Sequence, residues 1–202
     1  MPRAGGLSAA PSRGRRDARS CLLALAAILL WDAGPGDLVV SGGFGSAAGF
    51  AWRHAAWAER GLHDGARWLA GAALASLTWD AWRPAGGHRA GPSAGARRFW
   101  WAVVLVCLLA VPSAKRISHT SCPWDLQPFG GTVPYVPHWA VLRDGGPGHC
   151  FPSGHAVSFF AFLPVYFLRR RHAPRWARRF LAALLVLGTA GSLVQVVRGL
   201  TS

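Results

Sequence analysis

The run Phe151-Pro152-Ser153-Gly154-His155 brings a turn, a hydroxyl and an imidazole together just before an apolar stretch. Proline and glycine place the turn, and at a helix start the serine hydroxyl and the free backbone N–H groups make a cradle for an anion. His155 then stands where it can give a proton to a leaving oxygen, because imidazole titrates near neutral pH. The same histidine would also serve as a helix cap or an interface residue. Lys115 is the second candidate. It is the only lysine among 22 basic residues, every other one being arginine. It stands at the outer end of an apolar run, where an ammonium either reaches for lipid headgroups or supplies a point charge to an oxyanion.

Other reactive groups share the stretch 115 to 155. His119, His138 and His149 are expected to be solvated surface histidines, since nothing fixes any of them opposite His155 for in-line attack. Cys122 and Cys150 allow two readings, a disulfide or a pair of unpaired buried thiols. In an oxidising compartment a bond between them would tie the loop of Lys115 to the turn of His155. Cys21 and Cys107 fall in apolar runs. His119, Cys122, His149, Cys150 and His155 offer enough ligand atoms for zinc, but their spacings fit no familiar finger or ribbon, so neither metal nor cofactor is expected.

The elements that must position these groups are apolar blocks. Of 202 residues 51% are hydrophobic and only 15% charged, and the apolar ones fall in runs rather than alternating, as expected of an all-α polytopic membrane protein. Five blocks can be drawn: Cys21 to Trp31, Trp68 to Trp82, Phe99 to Ala114, Ala156 to Leu168, and Phe180 to Val197. Only the last approaches the ~20 residues that cross the hydrocarbon unaided. The others span if boundary arginines bend toward the headgroups and Trp31, Trp68, Trp82, Trp100 and Trp101 sit at the interface. A cleavable signal peptide competes for the first block, but no small-x-small site follows Trp31, and a retained helix is preferred.

Charge orients the blocks. The net charge of +14 is carried by arginines in three stretches, 1–20, 83–98 and 169–179, which together hold fifteen of them. Segments 32–67 and 115–155 hold three basic residues each. The positive-inside rule therefore puts the three arginine-rich stretches in the cytoplasm and the segment 115–155 outside, with no nucleic-acid partner. Residues His54 to Arg67 resemble a helix lying on the outer surface or a plain solvated one. Gly43 to Ala48 superficially imitates a dinucleotide fingerprint but lacks the flanking strand and helix, and is expected to be linker. Residues 83–98 are expected to be a flexible loop, no internal repeat is present, and residues 1–202 form a single membrane domain.

Pro152-Ser153-Gly154-His155 before an apolar block resembles the second signature of the type 2 phosphatidic acid phosphatase family, membrane-associated phospholipid phosphatases. The family's first signature, Lys, six residues, Arg-Pro, is matched by Lys115 and Pro123 with Cys122 in the arginine position. Cys122-Pro123-Trp124-Asp125-Leu126, Phe129-Gly130-Gly131 and Cys150 resemble a bacterial branch carrying that cysteine. Val197-Arg198 resembles the start of the third signature, Ser-Arg, five residues, His, three residues, Asp.

The resemblance implies a phosphatase of lipid phosphates acting through a phosphohistidine. Lys115, Ser153, Gly154 and Arg198 would bind the phosphoryl oxygens, and His155 would protonate the departing alkoxide. The attacking histidine would fall at the second position past Ser202, so the resemblance implies a C-terminally incomplete enzyme with a sixth membrane helix to follow. It also implies an inner-membrane location, with the site facing the periplasm or exterior and membrane lipids as partners. Two other readings stand beside it: a non-catalytic protein that binds lipid phosphate, and a small transporter subunit, for which Asp80 is the clearest ionisable residue within a block.

Overall fold

The computed structural model describes residues 13–57, 61, 64–83, 91–137 and 143–200. Arg3, Arg89 and His138, and the middle of the stretches His54–Arg67 and 83–98, lie outside them. The described chain is mostly helical: α1 (Arg13–Asp32), α2 (Gly36–Gly42), α3 (Gly65–Trp82), α4 (Ala94–Ile117), α5 (Gly154–Phe160), α6 (Leu163–Arg169) and α7 (Pro174–Val197). A two-residue antiparallel ribbon pairs β1 (Gly45–Ser46) with β2 (Gly49–Phe50). Among the described residues, α4 and α7 are long and apolar enough to cross a membrane, and a third span results if α1 and α2, bent by 68° at their junction, are counted together.

The apolar blocks become helices, but their ends and continuity differ from expectation. Arginines and tryptophans extend α4 and α7 to 24 residues each. Ser93 caps the start of α4, its hydroxyl accepting from the Ala96 amide. The fourth block is not one helix. It breaks at Ala161–Phe162 into two seven-residue pieces, and Pro164, in the first turn of α6, suits a new helix start. The Gly43–Ala48 stretch is not linker either, since its second half forms β1 and the turn of the ribbon.

Two separate cores result. Val104, Phe162, Val165 and Leu184 interlock between α4, α6 and α7, with Ala70, Ala73, Leu74 and Leu77 of α3 against them. The outer faces of these helices and of α1 carry large apolar side chains: Leu22 of α1 is 66% exposed, Trp68 of α3 80% and Val186 of α7 67%. The second core lies in the loops, where Phe50, Leu126, Phe129 and Val133 pack together under Leu38, Trp124 and Tyr135. Two 3₁₀ turns, Pro123–Asp125 and Gln127–Phe129, curl the chain so that Gln127 and Val133 pair through their backbones at 2.8 Å.

Arginine-rich turns share one end of the molecule. Asp80 in the last turn of α3 pairs with Arg83 at 2.9 Å and Arg169 at 2.7 Å. Arg170 pairs with Asp17, and the buried Arg97 donates to the Arg83 carbonyl at 2.9 Å. Asp80 is thus a structural ion pair at a helix end. Lys115 lies eighteen residues along α4 from Arg97, about 27 Å away at the helical rise, at the opposite end.

Candidate functional site

Lys115 and Arg116 occupy the last turn of α4, where exposed carbonyls favour positive charge. The lysine side chain runs past the corner at 153–155: a methyl group built on Gly154 would lie 3.9 Å from Lys115 Cδ. Ser153 is the N-cap of α5, its Oγ accepting from the Ala156 amide at 3.5 Å, which leaves the hydroxyl proton free to be donated. Because α5 is only seven residues long, the cradle depends on side-chain charge rather than on a helix dipole. His155 is the second residue of α5 and is partly buried beside these groups.

A clamp holds the two loops in register. Cys122 and Cys150 form a disulfide, with Cα atoms 5.0 Å apart. Around it the Cys150 amide donates to the Thr120 carbonyl and the His149 amide to the Ser118 carbonyl, both at 3.0 Å. The Asp144 carboxylate accepts from the Ser121 amide at 2.6 Å and the Gly146 amide at 2.9 Å. His149 adopts a left-handed φ of 62°, and its Nδ1 lies 3.2 Å from the Lys115 carbonyl, which can only accept, so the ring donates there. Its role is to tie the loop to α4, in keeping with a surface histidine. His119 is exposed on the adjoining strand of loop. Cys122 and Cys150, joined to each other, offer no thiolate for a metal, and no cluster of three or more His, Cys, Asp or Glu gathers among the described residues.

The end of α7 packs against α5 and the disulfide-linked loops. Leu184, Gly188, Gly191, Gln195 and Arg198 recur every three or four residues and are all buried, so they form one face. That face meets α5: a side chain at Gly188 would collide with the Phe160 ring, and one at Gly191 would press against the Phe159 ring. Since the two helices run antiparallel, Gln195 and Arg198 lie level with the start of α5. Arg198 is 5% exposed and donates from Nη2 to the Arg53 carbonyl at 3.2 Å, while its Nε has no hydrogen-bond partner among the described residues.

Gly199 follows with φ of 69°, and a side chain there would come within 2.5 Å of the Phe50 ring. Only glycine therefore lets the chain turn beneath the loop core. The Gly199 carbonyl accepts from the Trp124 amide at 3.4 Å, and the Leu200 carbonyl rests 3.0 Å from Cys150 Sγ.

The structure thus brings Lys115, Ser153, Gly154 and His155 together and seats Arg198 against the same disulfide-linked loops. The residues missed from the sequence are Gln195 and Arg53. Gln195 is fully buried, and both atoms of its amide lack a partner among the described residues. It was visible as the one amide in an apolar run, which is the signal of a functional polar group. Arg53, whose Cζ sits 4.3 Å from the centre of the Trp124 ring, carried no sequence signal. Chemically, an ammonium whose stem passes a corner that carries a hydroxyl and an imidazole is a combination that can bind a tetrahedral oxyanion and protonate one of its oxygens. Comparison with protein-family models, with curated proteins and with solved structures finds no match.

Proposed function

We propose that this chain carries the phosphate-binding part of an integral-membrane phosphatase acting on lipid phosphates. The observation that carries the reading is the passage of the Lys115 stem alongside Gly154, with the Cys122–Cys150 bond locking the two loops together. In this reading Lys115, Ser153, Gly154 and Arg198 hold the phosphoryl oxygens and His155 protonates the departing alkoxide. The family resemblance implies a histidine as the attacking group. It bonds to phosphorus as the ester P–O bond breaks, and water then releases phosphate from the phosphohistidine.

Three features support a lipid substrate. The helices expose broad apolar faces of the kind soluble proteins bury. The arginine-rich turns lie about one membrane thickness from Lys115, as positive-inside topology would have them, with α3 and the broken α5–α6 pair completing about five membrane segments. An apolar groove of about 210 Å³, lined by Trp52, Trp57, Leu193, Val194 and Val197, opens beside Arg198 and would take a hydrocarbon tail whose phosphate lies at the arginine. The disulfide suits an oxidising outer compartment, so the site faces the periplasm or exterior of the inner membrane.

Phosphate release from phosphatidate or a polyprenyl diphosphate by the purified full-length protein tests this. His155→Ala is expected to lower release by roughly 10²-fold or more. Equal release by the variant, or none by the parent, would defeat the catalytic reading, and phosphatidate binding without release would leave a lipid-phosphate-binding protein.

A further inference from the structure

We infer that Arg53 is a second guanidinium of the phosphate site, delivered by the turn after β2 and held in place by Trp124. The inference rests on the phosphate-site reading above and adds a residue to it from a different loop. Phe50 anchors the turn: its ring packs 5.0 Å from Phe129 and beneath Gly199, and its carbonyl accepts from the Arg53 amide at 3.1 Å. The Arg53 carbonyl takes the hydrogen bond from Arg198 Nη2, so the two arginines are neighbours. The Arg53 guanidinium lies over the Trp124 ring, 4.3 Å from its centre. That ring is itself fixed, its Nε1 donating to Asp125 at 2.9 Å and its backbone amide to Gly199.

The charge balance of this corner is what asks for a ligand. Among the described residues neither Arg53 nor Arg198 has a carboxylate within ion-pair distance, and each has a buried Nε without a hydrogen-bond partner. The Asp125 carboxylate is engaged by Trp124. Both guanidiniums are partly withdrawn from water, and each leaves its Nε donor unused. A phosphate dianion placed between them offsets both costs, and the planar fork of arginine matches its oxygens in a way a lysine would not. The stacking on Trp124 holds Arg53 in one orientation, so little side-chain entropy remains to be lost on binding.

The test is a calorimetric titration of the 202-residue chain in phosphatidylcholine nanodiscs with dioctanoyl phosphatidate, and with dioctanoylglycerol as the phosphate-free control. Arg53→Ala is expected to weaken phosphatidate binding by about tenfold and to flatten its salt dependence, leaving any diacylglycerol binding unchanged. Arg53→Lys is expected to fall between, and Trp124→Leu to weaken phosphatidate in the same direction. Thermal unfolding and an intact Cys122–Cys150 bond check that each variant folds. If Arg53→Ala binds phosphatidate as the parent does while Arg198→Ala loses it, the role of Arg53 is overturned and the site stands. Equal weakening for both ligands would make Arg53 structural and overturn the inference. A parent chain that does not distinguish phosphatidate from diacylglycerol overturns the site and the inference together.

Discussion

The helix layer and the loop cap solve opposite problems with the same alphabet. Val104, Phe162, Val165 and Leu184 are sealed between helices whose outer faces also carry large apolar side chains. In a bilayer, packing rather than escape from water must hold such a layer together. The cap around Phe50, Leu126, Phe129 and Val133 is cross-linked by a disulfide, by backbone bonds between loops, and by Trp124 on Gly199. The cap thus fixes the position of charged groups, while the helices only supply the ends that carry them. Lys115 and Arg198 sit where the two regions meet.

That contrast can be broken most strongly at Phe50. Phe50→Ala is expected to cost about 3–5 kcal/mol, because its ring supports both Phe129 and the turn at Gly199, whereas Val104→Ala in the helix layer should cost about 1 kcal/mol. Chemical denaturation in detergent, followed by tryptophan fluorescence, measures both. Similar losses at the two positions would mean that the cap is no more water-driven than the layer. Replacing Cys122 and Cys150 together by serine is expected to lower stability by about 2–4 kcal/mol and to loosen the register of Lys115 against Gly154, with far-UV circular dichroism unchanged. A loss of helix content would show that the layer depends on the cap.

Smaller effects sharpen the boundary. Gly199→Ala forces a left-handed φ on a residue with a side chain and pushes against Phe50, at an expected cost of about 1–3 kcal/mol, with Arg198 displaced and phosphatidate binding reduced accordingly. An unchanged unfolding midpoint would contradict that packing. Asp80→Asn, at the far end of the molecule, is expected to cost no more than about 1 kcal/mol and to leave phosphatidate affinity untouched, since its partners Arg83 and Arg169 remain solvated in part. A change in affinity would mean that the two ends are coupled.

The sequence made one region far more legible than the other. Apolar runs disclosed α3, α4 and α7, because hydrophobic content is a property of each residue on its own. It could not disclose the break in the fourth block: Phe159, Phe160 and Phe162 are as apolar as a continuous span would require, and Pro164 alone fits a bend within one span as well as a new helix start. The cap was hidden for a different reason. Gly43 to Ala48 reads as glycine-rich linker, yet it leads into Phe50, which meets Phe129 and Gly199, contacts that join three distant stretches of chain.

The same division runs through the site. Lys115 and the Ser153-Gly154-His155 corner were legible because their chemistry is compressed into short spacings. The Cys122–Cys150 bond, one of two readings for those cysteines, is the one the structure adopts. Neither Arg53 nor Gln195 has a role legible in the sequence, since one depends on where a tryptophan ring falls and the other on the face that α7 turns toward α5.

The claim that Lys115 and the Ser153–His155 corner hold one and the same anion is tested most directly by anomalous diffraction from crystals soaked in tungstate. The account expects a single strong peak outside the arginine-rich end, within hydrogen-bond distance of Lys115 Nζ, Ser153 Oγ and the Arg198 guanidinium. A peak bound by Lys115 without Ser153, or by the turns at Arg83 and Arg169 instead, would contradict it.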